Sequence, residues 1–390
     1  MRRALWHAAA LSLVALLSNC VPNRGWRAPT PAAPGSAPGY TVSLLGSLVI
    51  PPNLVVDGLN VGGLSALVRT GEDTWRSLVD NEEDTPARVF DLRFRVTERG
   101  PAPLAGDKPS GVPRSALRLA GLNGKNFDGE GLALTPQGTL LVSSETEPSI
   151  REISATGETL RMLPVPELFL SDKLAGRGAR VNAGFEALVL SPDGRTLWTG
   201  NEAALAQDAP DEARFATHPI RLLRYDFYVP AAQYVYVVDP IARRGPGLHV
   251  RGLVDLVILP EGGLLALERE FVEGFGMEVQ LFHVSIDGAT DVSGMESLAG
   301  QTYTPVRKTL LYDFARSGFV PDNLEGMTFG PDLPDGDRTL VLVSDNNFKP
   351  LLQQTQIVAL RLVGPIPPLP SPLPRAGGEG ASHSDVRGGS

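Results

Sequence analysis

Apolar residues between about residues 40 and 364 fall into short runs of strand length, bounded by glycine, proline or an acidic residue, with no long helical stripe. The runs come in pairs separated by a turn, and the pair recurs five times. The second copy reads Asp128-Gly129-Glu130-Gly131-Leu132-Ala133-Leu134, turns through residues 135–139, and returns as Leu140-Leu141-Val142-Ser143-Ser144-Glu145. The third opens on Gly184-Phe185-Glu186, turns at Asp193-Gly194 and closes on Gly200-Asn201-Glu202. The fifth opens on Asn323-Leu324-Glu325, turns at Asp335-Gly336 and closes on Ser344-Asp345. The first, residues 62–80, and the fourth, residues 252–269, are weaker copies. A glycine-containing turn between two apolar runs predicts a β-hairpin, because glycine reaches positive φ without steric cost.

Residues face each other across such a hairpin when their midpoint falls on the turn. This pairs Glu130 with Glu145, Glu186 with Glu202, Glu325 with Asp345, Asp255 with Glu268, and Ser65 with Asp80. Three hairpins thus carry two acids at the open end, the fourth does so in that register, and the first supplies one. Residues 220–225 and 234–238 read as outer strands. Radial repetition accounts for the pattern: a β-propeller brings equivalent residues of every repeat to one axis. Six blades are expected, the sixth built from residues 89–119 and the last strand, 356–362; five is the alternative. Two stacked β-sandwiches would leave the recurring acid pairs unexplained.

The 390 residues include 42 glycines and 34 prolines, as a turn-rich all-β chain requires. A net charge of −9 with no basic run removes the electrostatic basis for nucleic-acid binding. One cysteine, Cys20, excludes an intramolecular disulfide framework and any cysteine zinc site, so stability must come from packing. Arg2 and Arg3 precede an apolar stretch too short to span a bilayer as a mature helix, so residues 1–19 read as an export signal. The end of that stretch, Leu17-Ser18-Asn19-Cys20, resembles a bacterial lipobox with Asn19 in place of the usual small residue, and implies lipidation at Cys20. Residues 20–40 read as a Pro/Ala/Gly-rich tether, 41–364 as the propeller and 365–390 as a disordered tail. The expected location is extracytoplasmic, periplasmic or on the outer surface, with the membrane touched only through the N-terminal lipid.

Asp128-Gly129-Glu130-Gly131-Leu132, Gly184-Phe185-Glu186-Ala187-Leu188, Arg221-Leu222-Leu223-Arg224-Tyr225, Leu267-Glu268-Arg269, Asn323-Leu324-Glu325-Gly326-Met327 and Ser344-Asp345-Asn346-Asn347-Phe348 together resemble the phytase-like family of bacterial extracytoplasmic proteins with esterase-like activity. The resemblance covers roughly residues 46–363. It implies a propeller hydrolase similar to the calcium-dependent phytases, which act on phosphate esters. One departure is Val79-Asp80-Asn81, where similar proteins show Ser-Asp-Arg, so a basic residue is missing where an anionic substrate would want one.

Carboxylates gathered at one channel mouth repel each other, so their pKa values rise or a cation neutralises them. Calcium suits such oxygen clusters, whereas the scattered histidines and single cysteine argue against zinc. The expected Ca²⁺ ligands are drawn from Glu130, Glu145, Glu186, Glu202, Glu325 and Asp345. For hydrolysis of a phosphate or carboxylic ester, Glu130 and Glu186 are the candidate catalytic carboxylates together with Arg269, and Arg269 and Lys125 are candidates for holding a small anionic or ester substrate. The plainer alternative for each acid is a solvated strand end or an ion pair with a neighbouring arginine. His218, His249 and His283 stand apart in sequence and suit packing roles better than catalysis. No Gly-x-Ser-x-Gly elbow and no phosphate-binding Gly-x-x-x-x-Gly-Lys-Ser/Thr loop occurs. Two rivals remain: a lactonase-type propeller, and a non-catalytic envelope protein that holds a ligand or partner.

Overall fold

The paired apolar runs fold as hairpins, and each hairpin takes up two outer strands to make a blade. The computed structural model describes residues 39–80, 85–241, 243, 245 and 247–364. The export signal, Cys20, nearly all of the tether and the 365–390 tail lie outside the described residues.

Strand β1 (Thr41–Ile50) is followed by a small hairpin, β2 (Val55–Val56) and β3 (Leu59–Asn60). The first blade comprises β4 (Leu64–Arg69), β5 (Thr74–Val79), β6 (Pro86–Arg93) and, after a second small hairpin of β7 (Arg95–Thr97) and β8 (Gly100–Ala102), β9 (Pro113–Asn123). The second holds β10 (Gly129–Leu134), β11 (Leu140–Ser144), β12 (Ser149–Ile153) and β13 (Thr159–Met162). The third holds β14 (Phe185–Leu190), β15 (Thr196–Asn201), β16 (His218–Asp226) and β17 (Val229–Val238). The fourth holds β18 (His249–Ile258), β19 (Leu264–Val272), β20 (Gly276–Ser285) and β21 (Arg307–Asp313), after which comes the single-turn helix α1 (Phe314–Ser317). The fifth holds β22 (Leu324–Phe329), β23 (Arg338–Ser344) and β24 (Thr355–Val363), and its outermost strand is β1, paired antiparallel with β24 from Thr41↔Val363 to Ile50↔Thr355.

The all-β propeller expected from the sequence is therefore present with five blades, the alternative count. The segments assigned to a sixth are already used. Residues 89–119 supply β6 and β9 of the first blade, and residues 356–362 belong to β24. Five apolar clusters fill the five gaps between neighbouring blades. Between the fourth and fifth sit Leu267, Leu281, Leu342 and Leu360; between the first and second, Leu78, Val89, Leu132 and Val142. Each such side chain contributes on the order of 2 kcal/mol of burial, so the blade interfaces carry the stability.

Every inner hairpin has a β-bulge at the same level. It falls between Leu64 and Ala66, Gly129 and Leu132, Phe185 and Ala187, Leu253 and Asp255, and Leu324 and Gly326. The inserted residue breaks the alternation of sides along the strand. Midpoint pairing ignores it, and the observed pairs differ accordingly: the amides of Glu145, Glu202 and Asp345 donate to the carbonyls of Asp128, Gly184 and Asn323. In the fourth blade the shift separates the expected pair, because Glu268 faces Leu253 and Asp255 faces Leu267.

The residue after the bulge is Ala66, Gly131, Ala187 or Gly326 in four blades. Small residues belong there because the innermost strands approach closely: a Cβ on Gly131 would lie 2.5 Å from the Leu188 Cβ, and one on Gly326 would lie 2.7 Å from the Ala66 Cα. The fourth blade places Asp255 at this level. Its carboxylate accepts from the Leu256 amide at 2.8 Å and from the Met327 amide of the fifth blade at 2.6 Å, joining two strands that share no ladder. Burial pushes its pKa well above the usual carboxylate range. Asp255→Ala should cost about 2–4 kcal/mol in urea unfolding by orphaning the Met327 amide, and Asp255→Asn, which keeps an acceptor, should cost less.

Candidate functional site

The bulges and strand ends bring acids from four blades into one bowl of about 670 Å³ at the propeller axis. All six expected metal ligands line it: Glu130, Glu145, Glu186, Glu202, Glu325 and Asp345. Asp80 and Asp322 join them, as does Arg269. Glu130, Glu186 and Glu325 are bulge residues of the innermost strands β10, β14 and β22, while Asp80, Glu145, Glu202 and Asp345 each follow the second strand of a blade. The first blade has Ser65 at the bulge, and its hydroxyl donates to the Gly129 carbonyl at 2.8 Å, tying the first blade to the second. The fourth has Val254 there. Lys125 is exposed on the turn before β10 and does not line the bowl.

Glu268 lies elsewhere, in a buried network of the fourth blade. It accepts from the Tyr236 hydroxyl at 2.7 Å and from Arg251 Nε at 2.8 Å, and it also pairs with Lys308. Burial alone would raise its pKa, but Lys308 and Arg251 hold it below the usual range.

The acids in and beside the bowl are crowded. Asp80, Asp128 and Glu130 each bring a carboxylate oxygen to within 4.8 Å of the others. Only Glu130 of this trio belongs to the expected ligand set. Asp80 stood out in sequence as the lone acid of its hairpin, whereas Asp128 only opens the second repeat. Glu145 and Glu186 are neighbours in the bowl, and after burial the charge of Glu145 is one of the causes that raise the pKa of Glu186. Arg269 sits between Glu202 and Glu325, at 3.0 and 3.3 Å. Asn323 donates from Nδ2 to Glu325 Oε1 at 2.8 Å, and its buried Oδ1 has no hydrogen-bond partner among the described residues.

Burial and mutual repulsion set the titration. Glu145 is pushed up to about 8 by burial first and then by Glu202, Asp80 and Glu325. Burial and Asp80 lift Asp345 to about 7. Glu130, Glu186 and Glu325 are driven well above their ordinary values, burial again being the main cause. Arg269 acts in the opposite sense on Glu186, Glu202 and Glu325.

The donor set fits a hard cation. It offers carboxylate oxygens at close quarters and an unpartnered amide oxygen on Asn323, and no thiolate lines the bowl among the described residues. Beside the bowl, His218 and His249 line an adjoining pocket of about 150 Å³ that shares Asn182, Glu202 and Val250 with it. Their separation in sequence hid this meeting, since β16 and β18 belong to different blades. His218 Nδ1 lies 3.0 Å from the Ala216 carbonyl, and burial pushes its pKa down.

The profile of the phytase-like family, described as esterase-like activity of phytase, matches residues 59–348. An uncharacterized secreted protein of Arthroderma benhamiae is 23% identical over 229 residues; the match spans 50% of this chain and 44% of that relative, so the chain covers less than half of the relative's length. Among solved structures, a calcium structure of a Trichoderma reesei enzyme of carbohydrate-active family AA12 shares 10% identity at a TM-score of 0.36, covering 87% of this chain and 98% of that one. A structural-genomics target described as a candidate gluconolactonase shares 13% at a TM-score of 0.34, covering 87% and 99%. Drosophila plexin A, in a complex with semaphorin 1b, shares 14% at a TM-score of 0.34, covering 78% and 51%. At these values none of the three bears on chemistry.

A carboxyl whose folded pKa is raised holds its proton in the native state after the unfolded chain has released it, so stability falls as pH rises from about 4.5 toward 8. The chelator-treated protein should therefore melt at least about 5 °C lower at pH 8.5 than at pH 5.5, and Glu145→Gln should shrink that difference in differential scanning calorimetry.

Proposed function

Because this chain belongs to the phytase-like family, we propose that it is an extracytoplasmic, calcium-dependent hydrolase of esters whose reaction takes place in the axial acid bowl. The observation that carries this reading is the convergence of carboxylates from four blades on one cavity, crowded enough to hold protons or a cation at neutral pH. The secreted character of the fungal relative supports the location, and lipidation at Cys20 belongs to the same proposal.

Glu130 with Asp80 and Asp128 would hold the ion, aided by the other acids of the bowl. Bound there, calcium would polarise the ester oxygen and make a nearby water more acidic. The chain's own contribution is the Glu145–Glu186 pair. One carboxylate takes the proton of the attacking water as its oxygen bonds to the ester centre. The protonated partner gives its proton to the departing alkoxide as that bond breaks. The pair ends with one proton, as it began, and ester plus water has become acid plus alcohol. Arg269, neutralised by Glu202 and Glu325, fixes those two carboxylates and is a positioning residue in this scheme.

Thermal melting and calorimetry with and without Ca²⁺ test the reading directly. A ligand held only by the native state stabilises it by about 2.7 kcal/mol at one hundred times its Kd. Glu130→Gln should weaken Ca²⁺ binding at least about tenfold yet raise the melting temperature of the cation-free protein, since it removes one of several repelling charges. Glu186→Gln should lower ester hydrolysis by about 10² or more with Ca²⁺ affinity less affected. Absence of any melting shift in millimolar Ca²⁺ would overturn the proposal.

A further inference from the structure

The wall of the bowl is divided by chemistry. Asp80, Glu130, Glu145 and Glu186, from the first three blades, make one side acidic. The opposite side is raised and apolar. In the other blades the inner hairpin starts one residue before the bulge, at Leu64, Gly129, Phe185 or Leu324. In the fourth, β18 starts at His249, and its pairing with β19 continues through Val250↔Phe271 to His249↔Val272. Those four additional residues lift this hairpin roughly 13 Å above its neighbours.

The resulting wall consists of Leu248, Val250, Phe271 and Met277, continued by Val320 from the loop before β22 and Leu352 from the β23–β24 loop, which also bring Asp322, Lys349 and Gln353 to the lining. Leu248 is 54% exposed, Val320 81% and Leu352 83%, although each faces the same cavity. Three large aliphatic side chains left open at the rim of one small cavity are unlike the single exposed apolar residues of an ordinary surface. A cavity of about 670 Å³ admits a small molecule.

Charge narrows the occupant further. Among the described residues lining the bowl, the cations are Arg269 and Lys349, set against eight carboxylates. Arg269 is already engaged by Glu202 and Glu325. Apart from the proposed ion, the side chains of the bowl offer little to receive the further negative charge of a phosphate ester, whereas a carboxylic ester brings none.

We propose that the substrate is a neutral carboxylic ester bearing an apolar alkyl or aryl group, which lies against the fourth-blade wall while the ester group faces the acids. The inference rests on the hydrolase reading for the ester group alone; the preference for an apolar, uncharged ligand rests on the wall and the charge balance.

With Ca²⁺ present, hydrolysis is measured for p-nitrophenyl esters from acetate to hexanoate, for alkyl acetates from methyl to hexyl, and for p-nitrophenyl phosphate. In parallel, ligand-observed NMR follows binding of the non-hydrolysable methyl ketones from 2-butanone to 2-octanone. Each methylene buried against the wall is worth about 3-fold to 4-fold, so one of the two ester series should rise by about 30-fold or more over its length, and the ketone affinities should rise in parallel. Leu352→Ser combined with Val320→Ser should flatten these slopes, whereas Leu160→Ser, on β13 outside the bowl, should leave them unchanged. Chain-length-independent hydrolysis, or faster turnover of the phosphate, would overturn the inference and leave the hydrolase reading standing. Ketone binding that rises with chain length while no ester is cleaved would overturn the hydrolase reading and with it the ester, and would keep only the preference for an apolar, uncharged ligand. Ketones that fail to bind in order of length would also overturn the inference.

Discussion

Repulsion among carboxylates that cannot move apart is the constraint on which this molecule turns. Their Cα positions are fixed by five innermost strands closed in a ring, and the ring is held from outside by the apolar clusters between blades. The site therefore cannot relax its charge by spreading. It must answer with chemistry, through an arginine between two glutamates, carboxyl pKa values raised toward neutrality, and a group of oxygens suited to a cation. Packing energy spent at the blade interfaces thus maintains electrostatic stress at the axis, an arrangement expected of a functional centre rather than of a structural one.

Much of this was legible in the sequence because a propeller writes its symmetry into the chain. The Asp-Gly and Gly-containing turns at Gly138, Gly194 and Gly336 mark hairpins whose glycines do take positive φ. The recurrence of Glu130, Glu186 and Glu325 gave the axial acids. Three things were hidden. A bulge inserts a residue without altering local composition, so midpoint arithmetic misplaced Glu268 and credited Asp255 with a place at the mouth. The outermost strand of the fifth blade comes from the far end of the domain, so residues 89–119 were left looking like material for another blade. Asp128 only opens the second repeat in the sequence, and its approach to Asp80 depends on two blades meeting side by side.

The fourth blade departs most from the repeat, and its departures are consistent with one another. Its bulge residue is Val254, and the acid beside it, Asp255, is spent on joining strands. Its own buried charges, Arg251, Glu268, Glu270 and Lys308, neutralise one another away from the axis. A buried ion-pair network of this kind adds little net stability, but it fixes side-chain geometry, and here it lies in the blade whose long inner hairpin stands above the bowl. Freed from supplying ligands, this blade differentiates one side of an otherwise repetitive cup.

The pairing of β1 with β24 also governs how the molecule comes into being. The strand made first must wait about 320 residues for its partner, so the ring stays open until nearly the whole domain has been synthesised. Until then the edge of the unfinished fifth blade offers bare backbone hydrogen-bonding groups to any neighbouring chain. A translation product truncated before residue 355 would lack β24 altogether, leaving β1 with no ladder and the axial acids without a closed frame.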